Sequence, residues 1–306
     1  MKNLLETADL SPEVLNDLLS EASKIYENPG AYYGRAAGKI LATLFYEPST
    51  RTRLSFESAM LRLGGSVIGF SDASFSSVRK GETPEDTSRI VSGYCDIMTV
   101  RHPIAFTQWR MAEVATVPLI NAGDGANEHP TQTLTDVFTL KERFGRLDHL
   151  TIGLCGDLKY GRTVHSLVKV LAQYPGNQFY FIAPTLLQMP EEIIEMLDKN
   201  QIPYSFASSI MECGKELDVL YMTRIQKERF EDPEDYKKLG EDFILDQESM
   251  DSLRDDMIIL HPLPRVKEIP EDVDQDPRAW YFKQARLGLY VRMALILALL
   301  EDSGTL

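Results

Sequence analysis

Short apolar runs alternate with longer stretches of helical periodicity along most of the chain. The runs are almost continuously hydrophobic, as strands are when helices cover both faces of a parallel sheet. This alternation predicts an α/β fold. The predicted strands are residues 39–46, 65–70, 96–101, 117–122, 150–155, 179–183, 204–207, 219–222 and 257–260. The predicted helices include residues 51–63, 84–94, 106–115, 131–144 and 277–300.

The alternation is interrupted once, by the helical stretch 131–144, which Gly145 ends as a C-cap. The two series on either side predict two domains, each a parallel-sheet α/β sandwich, and 306 residues suit two domains. We expect a first domain over residues 1–130 and a second over residues 131–278. No strand follows the last helix, so residues 279–306 are expected to pack back on the first domain. The two domains would then be joined by interdomain helices.

Acidic residues outnumber basic residues by 46 to 32, which gives a formal net charge of −14. Such a surface argues against binding to nucleic acid or anionic lipid. The longest apolar run, residues 294–300, is too short for a membrane span, and the N-terminal segment turns acidic too early for a secretory signal. Three widely separated cysteines form no metal-binding spacing and fit a reducing cytoplasm.

Two glycine-containing segments are similar to nucleotide-binding loops but have the wrong spacing. Residues 34–39 are one residue short of a P-loop, lack its Ser or Thr, and precede a strand rather than a helix. Gly153, Gly156 and Gly161 do not have the spacing of a dinucleotide fingerprint, and the next strand ends without a ribose-binding carboxylate. Binding of a nicotinamide dinucleotide is therefore not expected.

The first predicted strand runs into a helix through the polar segment 49–53. Ser49 or Thr50 suits the N-cap, and the N–H groups of the first helical turn point outwards at the positive end of the helix dipole. Arg51 and Arg53 add guanidinium groups that suit phosphate oxygens. A capped helix with solvated arginines does not account for five such residues in a row. The segment predicts a phosphate site.

His129 and Arg101 stand at two further strand or helix ends. His129 precedes Pro130 and a predicted helix, whose dipole favours a neutral imidazole that can donate a hydrogen bond to a carbonyl oxygen. Arg101 follows the predicted strand over residues 96–101 at its carboxyl end. On residue type alone, a structural histidine and a solvated arginine are the more common cases.

The segment FYEPSTRTR, residues 45–53, closely resembles the carbamoyl-phosphate motif of the aspartate and ornithine carbamoyltransferases. Residues 80–82 (KGE), 101–103 (RHP) and 129–132 (HPTQ) resemble further motifs of that family, and the likeness extends as far as Arg292. The resemblance implies a transferase that moves the carbamoyl group of carbamoyl phosphate to an amine. It also implies a reaction that needs no metal and no organic cofactor.

The resemblance implies a role for particular residues of this chain. Arg51, Thr52, Arg101 and His129 would be catalytic. The implied ligands of carbamoyl phosphate are Ser49, Thr50, Arg51, Thr52, Arg101, His129, Gln132 and Leu263. In the family a loop also reaches into the active site of a neighbouring subunit, which here implies Ser76 and Lys80 and a homotrimer with shared active sites. Some members also bind separate regulatory chains, a question that this sequence leaves open.

The acceptor is expected to be L-aspartate, whose two carboxylates need two cationic groups. Residues 156–165 and 221–226 follow predicted strands of the second domain and resemble the aspartate branch of the family. The implied aspartate ligands are Lys80, Arg162, Arg224, Gln226 and Leu263. Residues 261–265 (HPLPR) also fit that branch, in which this loop presents a backbone carbonyl to the carbamoyl nitrogen and to the incoming amine.

The sequence therefore favours carbamoyl transfer to the amine of L-aspartate, an early step of de novo pyrimidine biosynthesis, with the acceptor bound between the two domains. The Ser-Met-Gly loop of the ornithine branch is absent, and Glu47 stands where that branch commonly has Lys. Two alternatives stay open. One is transfer to ornithine or an ornithine derivative, and the other is a non-catalytic anion-binding homologue.

Overall fold

The computed structural model describes residues 1–72, 80–226 and 243–306. The strands in these ranges are β1 (Ile40–Phe45), β2 (Ser66–Phe70), β3 (Ile97–His102), β4 (Leu119–Asp124), β5 (Thr151–Cys155), β6 (Gln178–Ile182), β7 (Tyr204–Ala207), β8 (Val219–Met222) and β9 (Ile258–Leu260). The α-helices are α1 (Pro12–Glu27), α2 (Arg51–Arg62), α3 (Pro84–Val91), α4 (Thr107–Val114), α5 (Pro130–Phe144), α6 (Arg162–Leu171), α7 (Glu191–Lys199), α8 (Ile210–Cys213), α9 (Gln247–Ser252) and α10 (Tyr281–Asp302).

The chain forms two compact units, one of Met1–Arg143 with Ala285–Leu306 and the other of Phe144–Gln284. The prediction of two parallel-sheet α/β domains is confirmed. The boundary differs from the expected one, since the helix assigned to the second domain belongs to the first unit. Within that unit, Ser23 of α1 donates a hydrogen bond to Glu142 at 2.7 Å.

The first unit contains a parallel sheet in the order β2-β1-β3-β4. The chain leaves β1 towards one edge of the sheet and returns on the other side of β1 as β3, where Phe45 pairs with Arg101. The carboxyl ends of β1 and β3 therefore meet where the strand order reverses, which is where α/β sheets bind ligands. Strand β1 is buried over most of its length, whereas the edge strand β2 is largely exposed.

The second unit contains a parallel sheet in the order β7-β6-β5-β8-β9. Its strand order reverses between β5 and β8, so the segments that follow these two strands emerge side by side. Thr223, which follows β8, is bound to the end of β5. Its N–H donates to the Cys155 carbonyl at 2.8 Å, and its hydroxyl donates to the same oxygen at 3.1 Å. Gly156 lies directly against Thr223 with a φ of +113°, a backbone conformation that favours glycine.

The last helix begins later than its periodicity suggests. Residues 277–280 were expected to be helical, but Ala279 instead pairs with Ile259 of β9. The Ile259 N–H donates to the Arg278 carbonyl at 2.7 Å, and the Trp280 N–H donates to the Ile259 carbonyl at 2.9 Å. The backbone groups of this short segment are satisfied by the sheet, so helix α10 starts only at Tyr281. The C-cap expected at Gly145 fits its left-handed φ of +70°.

Two findings bear on the environment of the chain. Cys95, Cys155 and Cys213 form no disulfide. Each helix in the described ranges falls short of the length or the apolar character that crossing a membrane requires.

Replacing Gly156 with alanine tests the close approach of the β5 and β8 segments. A Cβ at this position would lie 2.3 Å from the Thr223 carbonyl oxygen. We expect Gly156→Ala to lower the free energy of unfolding by about 2–5 kcal/mol, through steric overlap and backbone strain together. Urea denaturation followed by circular dichroism measures the change.

Gly38→Ala is the matched control, because Gly38 also has a positive φ, +79°, but a Cβ there meets no atom within 4 Å. It should lower the free energy of unfolding by only about 1–2 kcal/mol. Equal losses in the two variants would show that the contact with Thr223 is unimportant.

Candidate active site

Helix α2 begins at the carboxyl end of β1 with an open N-terminus. Thr50 is its N-cap residue, as the sequence allowed, but no side chain makes a capping hydrogen bond. The reason is that Thr50 already has a helical backbone, with φ −77° and ψ −58°. Ser49 is half-buried, Thr50 is exposed and Thr52 is buried. The hydroxyl of Thr50 does not compete with an anion for the N–H groups of the first turn.

Two arginines converge near this helix start. The charge of Arg101, which β3 positions, acts on Arg51 of α2. Loss of water around part of the Arg51 guanidinium, and then the nearby charge of Arg101, lower the pKa of Arg51 although much of the residue is exposed. Arg101 is oriented by Glu47, whose Oε1 accepts a hydrogen bond from the Arg101 Nε at 2.6 Å. A bound anion would relieve the repulsion between the two guanidinium groups.

Arg53 has a carboxylate neighbour within its own helix. Its Nε lies 3.6 Å from the Glu57 carboxylate, one helical turn further on. Glu57 also accepts a hydrogen bond from Thr43 of β1 at 3.1 Å. Helical spacing explains the pairing, since residues four apart lie on one face of a helix.

His129 is buried between the end of β4 and the start of α5. Its carbonyl oxygen accepts the N–H of Gln132 at 2.9 Å, and its Nδ1 lies 3.3 Å from the Thr131 hydroxyl. If that hydroxyl donates, the ring proton is on Nε2, which is then the donor end of the ring.

The loop before His129 is held by Asp124, a fully buried carboxylate that the sequence analysis did not single out. One of its oxygens accepts the N–H of Glu128 at 2.9 Å, and the other accepts the N–H of Phe106 and the side-chain amide of Asn127 at 3.1 Å and 3.0 Å. Glu128 in turn accepts two hydrogen bonds from Thr7. The available signal was an acidic residue at the end of a buried strand.

Gln132 lies in the first turn of α5 and is oriented by Asp136. The Gln132 Nε2 donates to the Asp136 Oδ1 at 2.8 Å, and Asp136 is fully buried. Because the amide nitrogen is used in this way, the carbonyl oxygen is the end of Gln132 suited to accept a hydrogen bond from a ligand.

In the second unit, Asp157 joins the two segments that contain the predicted aspartate ligands. Asp157 is fully buried, and its carboxylate accepts the N–H of Tyr160 at 2.9 Å and the N–H of Gln226 at 3.2 Å. The Gln226 side chain donates to the Tyr160 carbonyl at 3.1 Å. The loops after β5 and β8 are thereby tied together, although the sequence analysis gave Asp157 no role.

Arg162 and Arg224 are carried by these joined segments. Arg162 is the first residue of α6, Arg224 lies two residues beyond the end of β8, and both are half-buried. The structure therefore brings the loops of Arg162, Arg224 and Gln226 to one edge of one sheet. Partly buried guanidinium groups at such an edge suit carboxylate recognition.

The remaining predicted residues lie on other loops. Leu263 follows β9 and is half-buried, with a left-handed backbone at φ 56° and a cis peptide bond to Pro264. Lys80 is exposed. Ser76 lies outside the described residues.

Taken by itself, the first unit presents an open helix start, two neighbouring guanidinium groups and a buried imidazole. The first two suit a phosphate dianion, and an imidazole N–H suits a carbonyl oxygen. No group of three or more His, Cys, Asp or Glu side chains suited to a metal ion occurs in residues 1–72, 80–226 or 243–306.

Family models match nearly the whole chain in two parts. The model described as "Aspartate/ornithine carbamoyltransferase, carbamoyl-P binding domain" matches residues 2–142, and the corresponding "Asp/Orn binding domain" matches residues 148–299. The chain belongs to the aspartate/ornithine carbamoyltransferase family.

Its relatives place it in the aspartate branch. It is 56% identical, over 96% of each chain, to the aspartate carbamoyltransferase catalytic subunit of Clostridium novyi. The catalytic subunit of M. jannaschii aspartate transcarbamoylase superposes with a TM-score of 0.93 at 48% identity, over 99% of both chains. Trypanosoma cruzi aspartate transcarbamoylase, solved in complex with N-(phosphonacetyl)-L-aspartic acid, superposes with a TM-score of 0.91 at 38% identity, over 97% of this chain and 95% of that one.

The different environments of Arg51 and Arg53 give a direct test of the phosphate site. Arg51→Ala should weaken binding of inorganic phosphate roughly tenfold to hundredfold, because a charge-assisted hydrogen bond contributes about 1.5–3 kcal/mol. Isothermal titration calorimetry with phosphate measures this.

Arg53→Ala removes the same charge from the same helical turn, but its partner is Glu57. It should change phosphate affinity by less than about threefold, as expected for a partly exposed ion pair within one helix. Equal weakening in both variants would mean that only net charge attracts the anion.

Proposed function

We propose that this chain transfers the carbamoyl group of carbamoyl phosphate to the amine of L-aspartate, giving N-carbamoyl-L-aspartate and inorganic phosphate. The observation that carries the proposal is the uncapped start of α2, where Arg51 follows the end of β1, the strand that pairs with β3 at Arg101. The N-(phosphonacetyl)-L-aspartic acid bound to the Trypanosoma cruzi relative joins a phosphonate to aspartate, and so supports the same pair of substrates.

The phosphate of carbamoyl phosphate binds first, on the helix start. The N–H groups of the first turn of α2 and the hydroxyls of Ser49, Thr50 and Thr52 surround its oxygens, with Arg51 supplying most of the charge. These donors are fixed by the helix before the ligand arrives, so binding requires little reorganisation.

The carbonyl group of the substrate is polarised by Arg101, His129 and Thr52. His129 acts as a neutral donor through Nε2, with Thr131 holding Nδ1. As the amine nitrogen forms its bond to the carbonyl carbon, the oxygen gains negative charge that these donors stabilise. The carbon–oxygen bond to phosphate then breaks, and the departing phosphate takes the proton that the amine loses.

The carbamoyl nitrogen is recognised by acceptors. The carbonyl oxygen of Gln132 is one, since its amide nitrogen is bound to Asp136. The backbone carbonyl of Leu263 is the other, and it also accepts from the incoming amine. Two acceptors on one NH₂ group fix its rotation, and orientation of this kind can contribute as much as about 7–11 kcal/mol to the rate.

Aspartate is bound by Arg162 and Arg224, each pairing with one carboxylate, with Gln226 as a neutral partner and Lys80 as a further cation. Support comes from the network around Asp157, which fixes the two loops relative to each other within the second unit. A fixed distance between two guanidinium groups selects for a fixed distance between two carboxylates. Ornithine, with a cationic side chain, would be repelled.

A panel of acceptors tests the function. The purified chain is incubated with carbamoyl phosphate and either L-aspartate or L-ornithine, and the products are identified by mass spectrometry. We expect N-carbamoyl-L-aspartate alone. Citrulline alone would keep the phosphate site and overturn the aspartate site, whereas phosphate binding without any product would favour a non-catalytic anion-binding protein.

The active unit is proposed to be a homotrimer with shared sites. Leu54 and Leu61 of α2 are 49% and 56% exposed, and Ile68 on the edge strand β2 is 38% exposed. Large apolar side chains exposed on a helix and on an edge strand are typical of surfaces that a second subunit covers. Lys80 is exposed nearby in sequence, and its contribution to a neighbouring site, with that of Ser76, stays a prediction.

Mixing two inactive variants tests the sharing of sites. Lys80→Ala and Arg51→Ala trimers, each with little activity alone, are denatured together and refolded. If each site takes Arg51 from one chain and Lys80 from another, about a quarter of the sites in an equal mixture contain both residues. Recovered activity near that fraction is the expected result.

The control is the double variant Arg51→Ala/Lys80→Ala mixed with either single variant. Such a mixture contains an intact Arg51 or an intact Lys80 but never both, so it should recover no activity. No recovery from the two single variants would contradict shared sites, provided that refolded wild-type trimers regain activity.

Three wider expectations stay predictions. A place in pyrimidine biosynthesis agrees with the name of the relatives. The name catalytic subunit, which the relatives carry, is compatible with an assembly that also contains regulatory chains. The free cysteines fit a cytoplasmic location.

A further inference from the structure

The loop after β9 contains a closed set of hydrogen bonds centred on His261. This residue is almost fully buried, at 2% exposure, and its own N–H donates to the Gln284 side chain at 2.9 Å. Each ring nitrogen has a hydrogen-bond partner. Nδ1 lies 2.7 Å from the backbone nitrogen of Leu263, and Nε2 lies 2.8 Å from the Glu268 carboxylate.

These two contacts determine the protonation of the ring. A backbone N–H can only donate, so Nδ1 must be the unprotonated nitrogen that accepts from Leu263. The proton of the neutral ring is therefore on Nε2, where it is donated to Glu268. A proton on Nδ1 would place two donors against each other at 2.7 Å.

Glu268 is itself fixed by the loop. Its carboxylate also accepts the backbone N–H groups of Val266 and Lys267 at 3.1–3.2 Å. Its backbone carbonyl accepts the N–H of Leu245 at 2.9 Å. The carboxylate that sets the ring tautomer therefore also holds the C-terminal part of the same loop.

Leu263 needs this support, because its φ of 56° lies in the left-handed region. A non-glycine residue in that region is strained and persists only where its surroundings hold it. The hydrogen bond from the Leu263 N–H to His261 acts directly on this backbone. By holding the N–H it restricts the φ of Leu263, and so limits the directions open to the Leu263 carbonyl.

We propose that His261, held as the Nε2-protonated tautomer by Glu268, is a positioning residue that aims the Leu263 carbonyl at the substrate nitrogens. The role of Leu263 rests on the proposed function. His261 touches no reacting atom, and it acts only through the backbone of Leu263. Glu268 acts one step further away, by keeping Nδ1 free of a proton.

Two substitutions at His261 separate the two ring nitrogens. His261→Asn keeps an acceptor, the amide oxygen, near the position of Nδ1 but cannot reach Glu268. His261→Gln keeps a donor near the position of Nε2 but has no acceptor beside the Leu263 N–H. Both remove the ring, so a purely structural role for its bulk predicts similar effects from the two.

We expect His261→Asn to retain kcat/KM for aspartate within about threefold of the wild type, and His261→Gln to lose at least about tenfold. The loss should exceed any difference in Tm between the variants. Affinity for inorganic phosphate should be unchanged in both. Equal losses in the two variants, or a larger loss in the Asn variant, would overturn the proposal.

Crystal structures of the two variants provide a readout that does not depend on activity. Leu263 should keep its left-handed backbone in His261→Asn and leave it in His261→Gln, and a left-handed Leu263 in both variants contradicts the proposal. A wild-type chain without activity towards aspartate would reject the proposed function, and the crystal structures would still decide whether His261 positions Leu263.

If neither variant folds, the ¹⁵N chemical shifts of the wild-type ring decide. They distinguish a protonated from an unprotonated Nδ1 directly. A protonated Nδ1 would overturn the proposal, whereas an unprotonated Nδ1 supports it.

Discussion

The reversal of strand order in each parallel sheet is the constraint on which the candidate site depends. Parallel strands end at the same edge, and at the reversal the loops from two adjacent strands leave in opposite directions and open a crevice. In the first unit this reversal lies between β1 and β3 and places the start of α2 beside Arg101. In the second unit it lies between β5 and β8 and places the loops of Arg162 and Gln226 together.

Buried carboxylates hold these loops in fixed conformations. Asp124 and Asp157 are each fully buried at the end of a strand, and each accepts backbone N–H groups from two separate segments. Few backbone N–H groups of a loop find a carbonyl acceptor within the same loop. A carboxylate inside the loop accepts hydrogen bonds from N–H groups that would otherwise need water. Glu268 has the same role in the loop of Leu263. In each of these loops, an acid that contacts no proposed substrate orients the residues that do.

Most of the fold was readable in the sequence because continuous apolar strands and amphipathic helices have different periods. The start of α10 was not, since residues 277–280 have helical spacing but pair with β9, and pairing between distant segments leaves no local pattern. The proposed phosphate ligands of the α2 start could be named from the sequence because they are consecutive, and their role stays a prediction. Asp124 and Asp157 were overlooked because a buried acid looks like a surface acid until its hydrogen-bond partners are known. A role for Arg53 at the anion stays a prediction, since helical spacing also pairs its side chain with Glu57.

The arrangement of charge explains how an acidic chain can contain a local site for an anion. Two of the three basic residues around the start of α2 have carboxylate partners, Arg101 with Glu47 and Arg53 with Glu57. These pairs hold the guanidinium groups in place. Loss of water around part of the Arg51 guanidinium, and then the nearby charge of Arg101, lower the pKa of Arg51. The start of α2 is therefore the place that most favours a bound anion, in a chain whose net charge of −14 repels anions elsewhere.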